Sequence, residues 1–198
     1  MLGSPVAHSL SPVLHRAAYQ ALGLAGWTYD AIECDEARLP GLLGECGPDW
    51  AGLSLTMPLK RAVLPLLDMT EPLAAAGRLG MTVRLADFGR GDPAGSWHLL
   101  VSTVPAGTAD AYAERILRGD LVPAAVLDVV YHPWPTGLAA AAERTGAAVV
   151  SGFELLLHQA ARQVELMTAR TAPTAAMRRA GLAELRRRAG GAGSPPAT

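Results

Sequence analysis

Lys60 is the only lysine in the chain; the other sixteen of its seventeen basic residues are arginine, and asparagine is absent. Either that lysine is chance, or a site there needs a compact, rotatable ammonium with a tunable pKa, which a fixed guanidinium does not supply. It ends the run Leu53-Ser54-Leu55-Thr56-Met57-Pro58-Leu59-Lys60. A strand through this run delivers Ser54 and Thr56 to one face. A helix begun at Pro58 then sets Lys60 in its first turn, at the carboxyl end of a strand, where open α/β sheets bind ligands. An ammonium so placed exchanges a proton with an oxygen that becomes an alkoxide, provided burial or a neighbour moves its pKa toward neutrality. The plain alternative is a solvated surface lysine, although a cation at a helix N-terminus opposes the dipole.

Two further runs carry polar groups with chemical use. In Gly3-Ser4-Pro5-Val6-Ala7-His8-Ser9-Leu10-Ser11-Pro12, Ser9 and Ser11 stand two apart before a helix. Both hydroxyls can aim at one carboxylate or polyhydroxylated ligand, helped by the positive end of the helix. Alternatively Ser11 only caps the helix and Ser9 is a turn residue. The second run is Asp128 to Thr136 at the end of an apolar strand, followed by Gly152 to Gln159 on a helix. There Tyr131 and Gln159 offer uncharged hydrogen bonds to a cleft between domains, or are satisfied interfacial groups.

These residues need elements to hold them. Ser11-Pro12 opens a helix with Ser11 at the N-cap, an apolar stripe through Leu14 and Ala18, and Gly23 at its end. Strands are expected at residues 27–34 and 50–55, with short helices from Asp35 and from Pro58; the latter turns Leu59, Val63, Leu66 and Leu67 inward. Further strands are expected at 82–87, 98–103, 125–130 and 147–151, and helices at 108–117, 136–143, 152–167 and 173–188. Apolar strands alternating with helices imply an α/β fold whose parallel sheet is covered on both faces. The break at Ala74-Ala75-Ala76-Gly77 marks a domain boundary, giving domains 1–76 and 77–150, C-terminal helices 151–190 packing back on the first domain, and a flexible tail 191–198.

Composition closes several routes. At 198 residues, half of them apolar and with a formal net charge of −1, the chain is globular and exerts no field that would gather nucleic acid or an anionic membrane. No apolar run reaches the roughly 20 residues of a membrane span, and Met1-Leu2-Gly3 lacks a basic signal region, so a cytoplasmic protein is expected. Cys34 and Cys46 cannot build a disulfide framework, and five scattered histidines give no metal motif. Arg178, Arg179 and Arg186 to Arg188 read as a solvated helix face rather than a phosphate site.

Taken in order, the motifs resemble the shikimate dehydrogenase family over residues 1–76 and 79–190. G-S-P-V-A-H-S-L-S-P-x-L-H is similar to that family's shikimate-binding segment, and S-L-T-M-P-L-K to its N-V-T-x-P-x-K segment with the catalytic lysine. S-T-V-P-A-G at Ser102 to Gly107 is similar to its N-T-T-P-x-G cofactor turn, and D-V-V-Y-H-P-W-P-T and G-F-E-L-L-L-H-Q-A complete the series. The resemblance implies an N-terminal α/β substrate-binding domain and an incomplete Rossmann-like parallel-sheet cofactor domain. It implies that Ser9, Ser11, Thr56, Tyr131 and Gln159 hold substrate, that Lys60 is the catalytic acid/base, and that Thr103, Val104, Val130 and Gly152 lie along the nicotinamide of NADP. The implied chemistry is reversible NADPH-dependent reduction of 3-dehydroshikimate to shikimate, a step toward chorismate and the aromatic amino acids. Quinate as substrate, NAD in place of NADP, and the oligomeric state stay open.

The chain also departs from the family pattern. The A-V-N-T segment, the N-T-D-G segment whose aspartate partners the lysine, the glycine-rich diphosphate loop and the N-R-T-type reader of the 2′-phosphate have no counterpart here. Gly89-Arg90-Gly91-Asp92-Pro93-Ala94-Gly95 is a poor replacement loop, because Pro93 lacks an amide proton and a strand-like run follows it instead of a helix. A Rossmann-like sheet without its first strands exposes apolar edges. Asp87 and Asp128 are the remaining candidates to partner Lys60. Two alternatives therefore stand beside the enzyme: a non-catalytic remnant that binds shikimate or quinate, and a faulty or internally deleted gene.

Overall fold

The first sheet is built on a strand too short to show any alternation in the sequence. In a computed structural model, which describes residues 1–66 and 95–191, β1 (Leu2–Gly3) lies parallel to β2 (Ile32–Glu33) on one side and bridges Leu55 in parallel on the other. On one edge the Ile32 and Cys34 amides donate to the Met1 and Gly3 carbonyls, each at 2.9 Å. On the other the Leu2 amide donates to the Ser54 carbonyl at 2.8 Å, and the Thr56 amide to the Leu2 carbonyl at 2.9 Å. Gly3 is required here: a Cβ would run into the Thr56 side chain and the Met57 carbonyl. The strands expected at 27–34 and 50–55 shrink to a two-residue ladder and a single bridge, because their common partner offers only two paired residues.

Helix α1 (Ser11–Ala21) starts as its proline predicts, with one correction. The Leu10 carbonyl accepts the first helical hydrogen bond, from the Leu14 amide at 3.1 Å, so Leu10 rather than Ser11 is the N-cap. Helix α2 (Leu39–Glu45) begins later than expected, since the Asp35 carboxylate accepts the Arg38 amide at 2.9 Å and forms a turn first. Helix α3 (Leu59–Ala62) is a single turn continued by a 3₁₀ turn at Leu64–Leu66. It buries Leu59 and Val63, but Leu66 is 44% exposed rather than turned inward; Leu67 lies outside the described residues. Leu2, Cys34, Leu39, Leu42, Leu59 and Val63 form the core beneath.

The chain divides into two compact units, Met1–Thr70 with Leu156–Thr198, and Glu71–Leu155. The second unit holds β3 (Gly95–Ser102), β4 (Leu121–Asp128) and β5 (Ala148–Ser151), all parallel and in that spatial order. Helices α4 (Asp110–Arg118) and α5 (Gly137–Arg144) make the crossovers. Leu100, Val126 and Val149 pack with Ile116 and Leu138 on the helix side. On the other face Leu99, Val101 and Val150 are exposed, Val101 by 48%, so among the described residues the cover expected on both sides is seen on the helix side. Right-handed crossovers between neighbouring strands taken in sequence put both helices on one face. β4 flanks β3 on one edge, and no strand among the described residues flanks the other.

Helix α6 (Gly152–Thr168) begins in this unit and runs into the first, where α7 (Thr174–Gly191) packs against α1. Arg170 ties the connection between α6 and α7 to the end of α1 by donating to the Leu22 carbonyl at 3.0 Å. Gly190, expected near a frayed end, lies within α7. The expected strand at 82–87, the boundary at 74–77, the run 89–94, Asp87 and the tail from 192 lie outside the described residues. No described helix is long and apolar enough to cross a membrane.

Candidate functional site

In the first unit the loop from Ser4 to Leu10 leaves the carboxyl end of β1, and its polar groups are held one by one. The Val6 amide donates to the Glu33 carboxylate at 3.2 Å, and the Ser9 amide to the Val6 carbonyl at 3.1 Å. Ser9 Oγ accepts the Ser11 amide at 3.1 Å and donates to the Met1 sulfur at 2.9 Å. The capping duty expected of Ser11 falls instead to the Leu10 carbonyl, while Ser9 Oγ holds the Ser11 amide. Sulfur is a weak acceptor, so this contact holds the Ser9 hydroxyl only weakly.

Thr56 follows on the neighbouring extended segment, with its carbonyl accepting the Leu59 amide at 2.9 Å, and this turn carries Lys60 onto α3. Lys60 is exposed. Ser54, expected to face a ligand beside Thr56, is buried and donates to Gln163 Oε1 at 3.1 Å. Gln159, the residue expected from the sequence, is exposed one turn earlier on α6. The spacing of four residues puts both glutamines on one helix stripe, the only signal that could have found Gln163.

Beneath the serines sits a buried aromatic stack that sequence reasoning missed. The His15 ring lies on Tyr29 with centroids 3.8 Å apart and 15° between planes, and its Nδ1 bonds the Ser11 carbonyl at 2.9 Å. Burial draws its pKa down to about 4, against the pull of that carbonyl. Tyr29 is buried too; burial raises its pKa, and the neighbouring Ser54 and Ser11 hydroxyls partly offset the rise. Its hydroxyl nevertheless closes no hydrogen bond of good geometry.

In the second unit the residues expected along a cofactor gather at the carboxyl ends of the three strands. Ser102, Asp128 and Ser151 form one row of the sheet, and the Val129 amide donates to the Ser102 carbonyl at 3.0 Å. Thr103 and Val104 directly follow β3. The Gly152 amide donates to the Val130 carbonyl at 3.2 Å, and a Cβ on Gly152 would strike the backbone of Val129 and Val130. Tyr131 is half-buried beyond β4. Asp128 has other duties than a lysine: its carboxylate accepts the Thr136 hydroxyl at 2.7 Å and the Val130 amide at 3.2 Å. Thr136 in turn caps α5 by accepting the Ala139 amide at 3.1 Å.

Comparisons with known proteins place this arrangement. Residues 1–78 match the shikimate dehydrogenase substrate binding domain, and residues 152–180 match the shikimate 5'-dehydrogenase C-terminal domain. The shikimate dehydrogenase (NADP(+)) of Thermus thermophilus is 47% identical over 74 residues, 37% of this chain and 28% of that protein. The chain is thus matched to only 28–29% of the length of the first curated relatives. The Moorella thermoacetica relative is 27% identical over 270 residues, covering 90% of each. That alignment is longer than this 198-residue chain, so it opens gaps on this chain's side. Among solved structures, Mycobacterium tuberculosis shikimate dehydrogenase aligns at 34% identity with a TM-score of 0.73, over 92% of this chain and 97% of that one. A shikimate 5-dehydrogenase from Mycobacterium fortuitum aligns at 32% identity with a TM-score of 0.71, over 90% and 95%. With such identity sustained over nearly the whole of both mycobacterial structures, and the motifs of both units in family order, the chain belongs to the shikimate dehydrogenase family.

Proposed function

We propose that this chain interconverts 3-dehydroshikimate and shikimate, with NADP as the redox partner. The observation that carries the reading is the grouping of Ser9, Ser11, Thr56 and Lys60 on segments that leave one end of a single parallel sheet. Ser9 and Ser11, at the amino end of α1, take the substrate carboxylate, Thr56 takes a ring hydroxyl, and Gln159 adds a further contact; Tyr131 is a substrate residue by family resemblance alone. In the reducing direction the Lys60 ammonium gives its proton to the former ketone oxygen; in the oxidising direction the neutral amine takes it back.

The carboxyl end of the second sheet fits the nicotinamide part of NADP. Among the described residues Ser102 Oγ is buried there without a hydrogen-bond partner, and the absent side chain of Gly152 leaves the Val129–Val130 backbone close at hand. Thr103, Val104, Val130 and Gly152 would hold that end, and the bound cofactor supplies the hydride that the protein cannot. The protein's part is orientation and the proton. A cytoplasmic location fits this chemistry.

The test is NADPH formation by the purified chain with shikimate, repeated with Lys60→Ala. The variant should lose at least about 100-fold in turnover while still binding shikimate by calorimetry. Unchanged turnover removes Lys60 from the mechanism. One observation favours a second reading, binding of shikimate or quinate without turnover: no described carboxylate pairs with Lys60, since Asp128 is engaged elsewhere. Heat of binding with no NADPH formed by the parent chain selects that reading.

A further inference from the structure

The serine loop is held from two directions. On one side the Val6 amide meets Glu33 from β2. On the other the His8 carbonyl accepts Arg188 Nη1 at 2.7 Å, across 180 residues of sequence. His8 immediately precedes Ser9, whose hydroxyl orders the Ser11 amide, so this contact acts next to both serines. Arg188 is itself aimed. Its Nε donates at 2.7 Å to Glu184 Oε1, one turn earlier on α7, and Glu184 is held in turn by Arg187 at 2.7 and 2.8 Å. The Glu184 and Arg188 side chains are only 15% and 24% exposed. The hydrogen bonds from Arg187 and Arg188 draw the Glu184 pKa down to about 2, so the carboxylate stays charged near neutral pH. The arginine cluster expected as a solvated face thus contains a built contact to the loop.

We propose that Arg188, oriented by Glu184, is a positioning residue that fixes the Ser9–Ser11 loop in the geometry for a carboxylate. The proposal deepens the reading of that loop as the shikimate-carboxylate site and rests on it. Arg188 touches no substrate in this account; it acts through the His8 carbonyl. A guanidinium suits the task because its forked donors serve two acceptors at once, one carboxylate and one carbonyl, from a single planar group.

The experiment compares the parent chain with Arg188→Met, Arg188→Lys and Glu184→Gln. Amide exchange in the ligand-free proteins is read at Ser9 and Ser11 and, as controls, at Ala18 in α1 and Met177 in α7. Arg188→Met should speed exchange at the two serines about tenfold, the size expected for losing one hydrogen bond to a charged group, with the controls unchanged. In steady state it should raise KM for shikimate about tenfold, with kcat and the NADP KM within about twofold. Arg188→Lys should recover part of the effect, since one ammonium reaches one acceptor well, and Glu184→Gln should fall between. Unchanged serine exchange in Arg188→Met overturns the proposal, as does equal loosening of serines and controls, which would make Arg188 a general staple of α7. A parent chain that neither binds nor turns over shikimate overturns the proposed function instead, and the exchange comparison still decides the role of Arg188.

Discussion

His15 gives the most direct test of the packing beneath the serines. Its ring is fully buried, stacked on Tyr29 and edge-on to Tyr19 at 6.1 Å. For Nδ1 to bond the Ser11 carbonyl it must carry the proton, which leaves Nε2 as a buried acceptor without a donor. Protonating Nε2 would place a charge among aromatic rings. Burial therefore lowers the pKa from 6.5 to about 4, helped slightly by the N-terminal ammonium. Because the folded value is the lower one, the unfolded chain binds more protons between these limits. Stability tied to His15 is complete above about pH 6.5 and is lost as pH falls toward 4. From pH 7 to pH 4.5 the loss is on the order of 2–3 kcal/mol. His15→Phe keeps the stack and removes the titration. Urea unfolding of both proteins at the two pH values, followed through α1 amides, should show the parent losing on the order of 2–3 kcal/mol more than the variant. Parallel losses, or a His15 ring that titrates near pH 6.5 by NMR, would refute the account.

Two substitutions probe the second unit. Gly152→Ala sets a methyl against the backbone of Val129 and Val130, which no side-chain rotation relieves; a loss of about 2–3 kcal/mol with weakened NADP binding is expected by urea unfolding and fluorescence titration. Thr136→Val removes the α5 cap and leaves the buried Asp128 oxygen without its 2.7 Å donor, a loss of about 2–4 kcal/mol. Thr136→Ser should recover most of it in the same unfolding measurement, and a serine variant as unstable as the valine would sink the hydrogen-bond explanation.

Much of the fold was legible because its signals are local. Pro12 and Gly23 bracket α1, Thr136 announces α5, and the apolar runs at β4 and β5 stand between helices. What failed to show depends on partners far away in sequence. Nothing within Met1 to Gly3 marks a strand, because its pairing is set by residues about thirty and fifty positions later. The late start of α2 reflects a side chain competing with the helix: the Asp35 carboxylate took the Arg38 amide first. That α4 and α5 share one face of the second sheet follows from connection handedness, which an apolar strand does not encode by itself.

The candidate site divides along the same line. The groups expected to do chemistry lie within short runs, Ser9 with Ser11 and Thr56 with Lys60, since neighbours on a strand end or helix start are brought together by local geometry alone. The groups that hold them come from elsewhere: Glu33 from β2, His15 and Tyr29 from a buried stack, Gln163 from α6 and Arg188 from α7. Ser54 shows why the distinction matters. Its residue type and spacing match those of Thr56, yet its hydroxyl hydrogen goes to Gln163, so it can offer a ligand only its lone pairs. Spacing reveals which hydroxyls share a face. Whether a hydroxyl is free to donate depends on a partner more than a hundred residues away, which only the folded chain supplies.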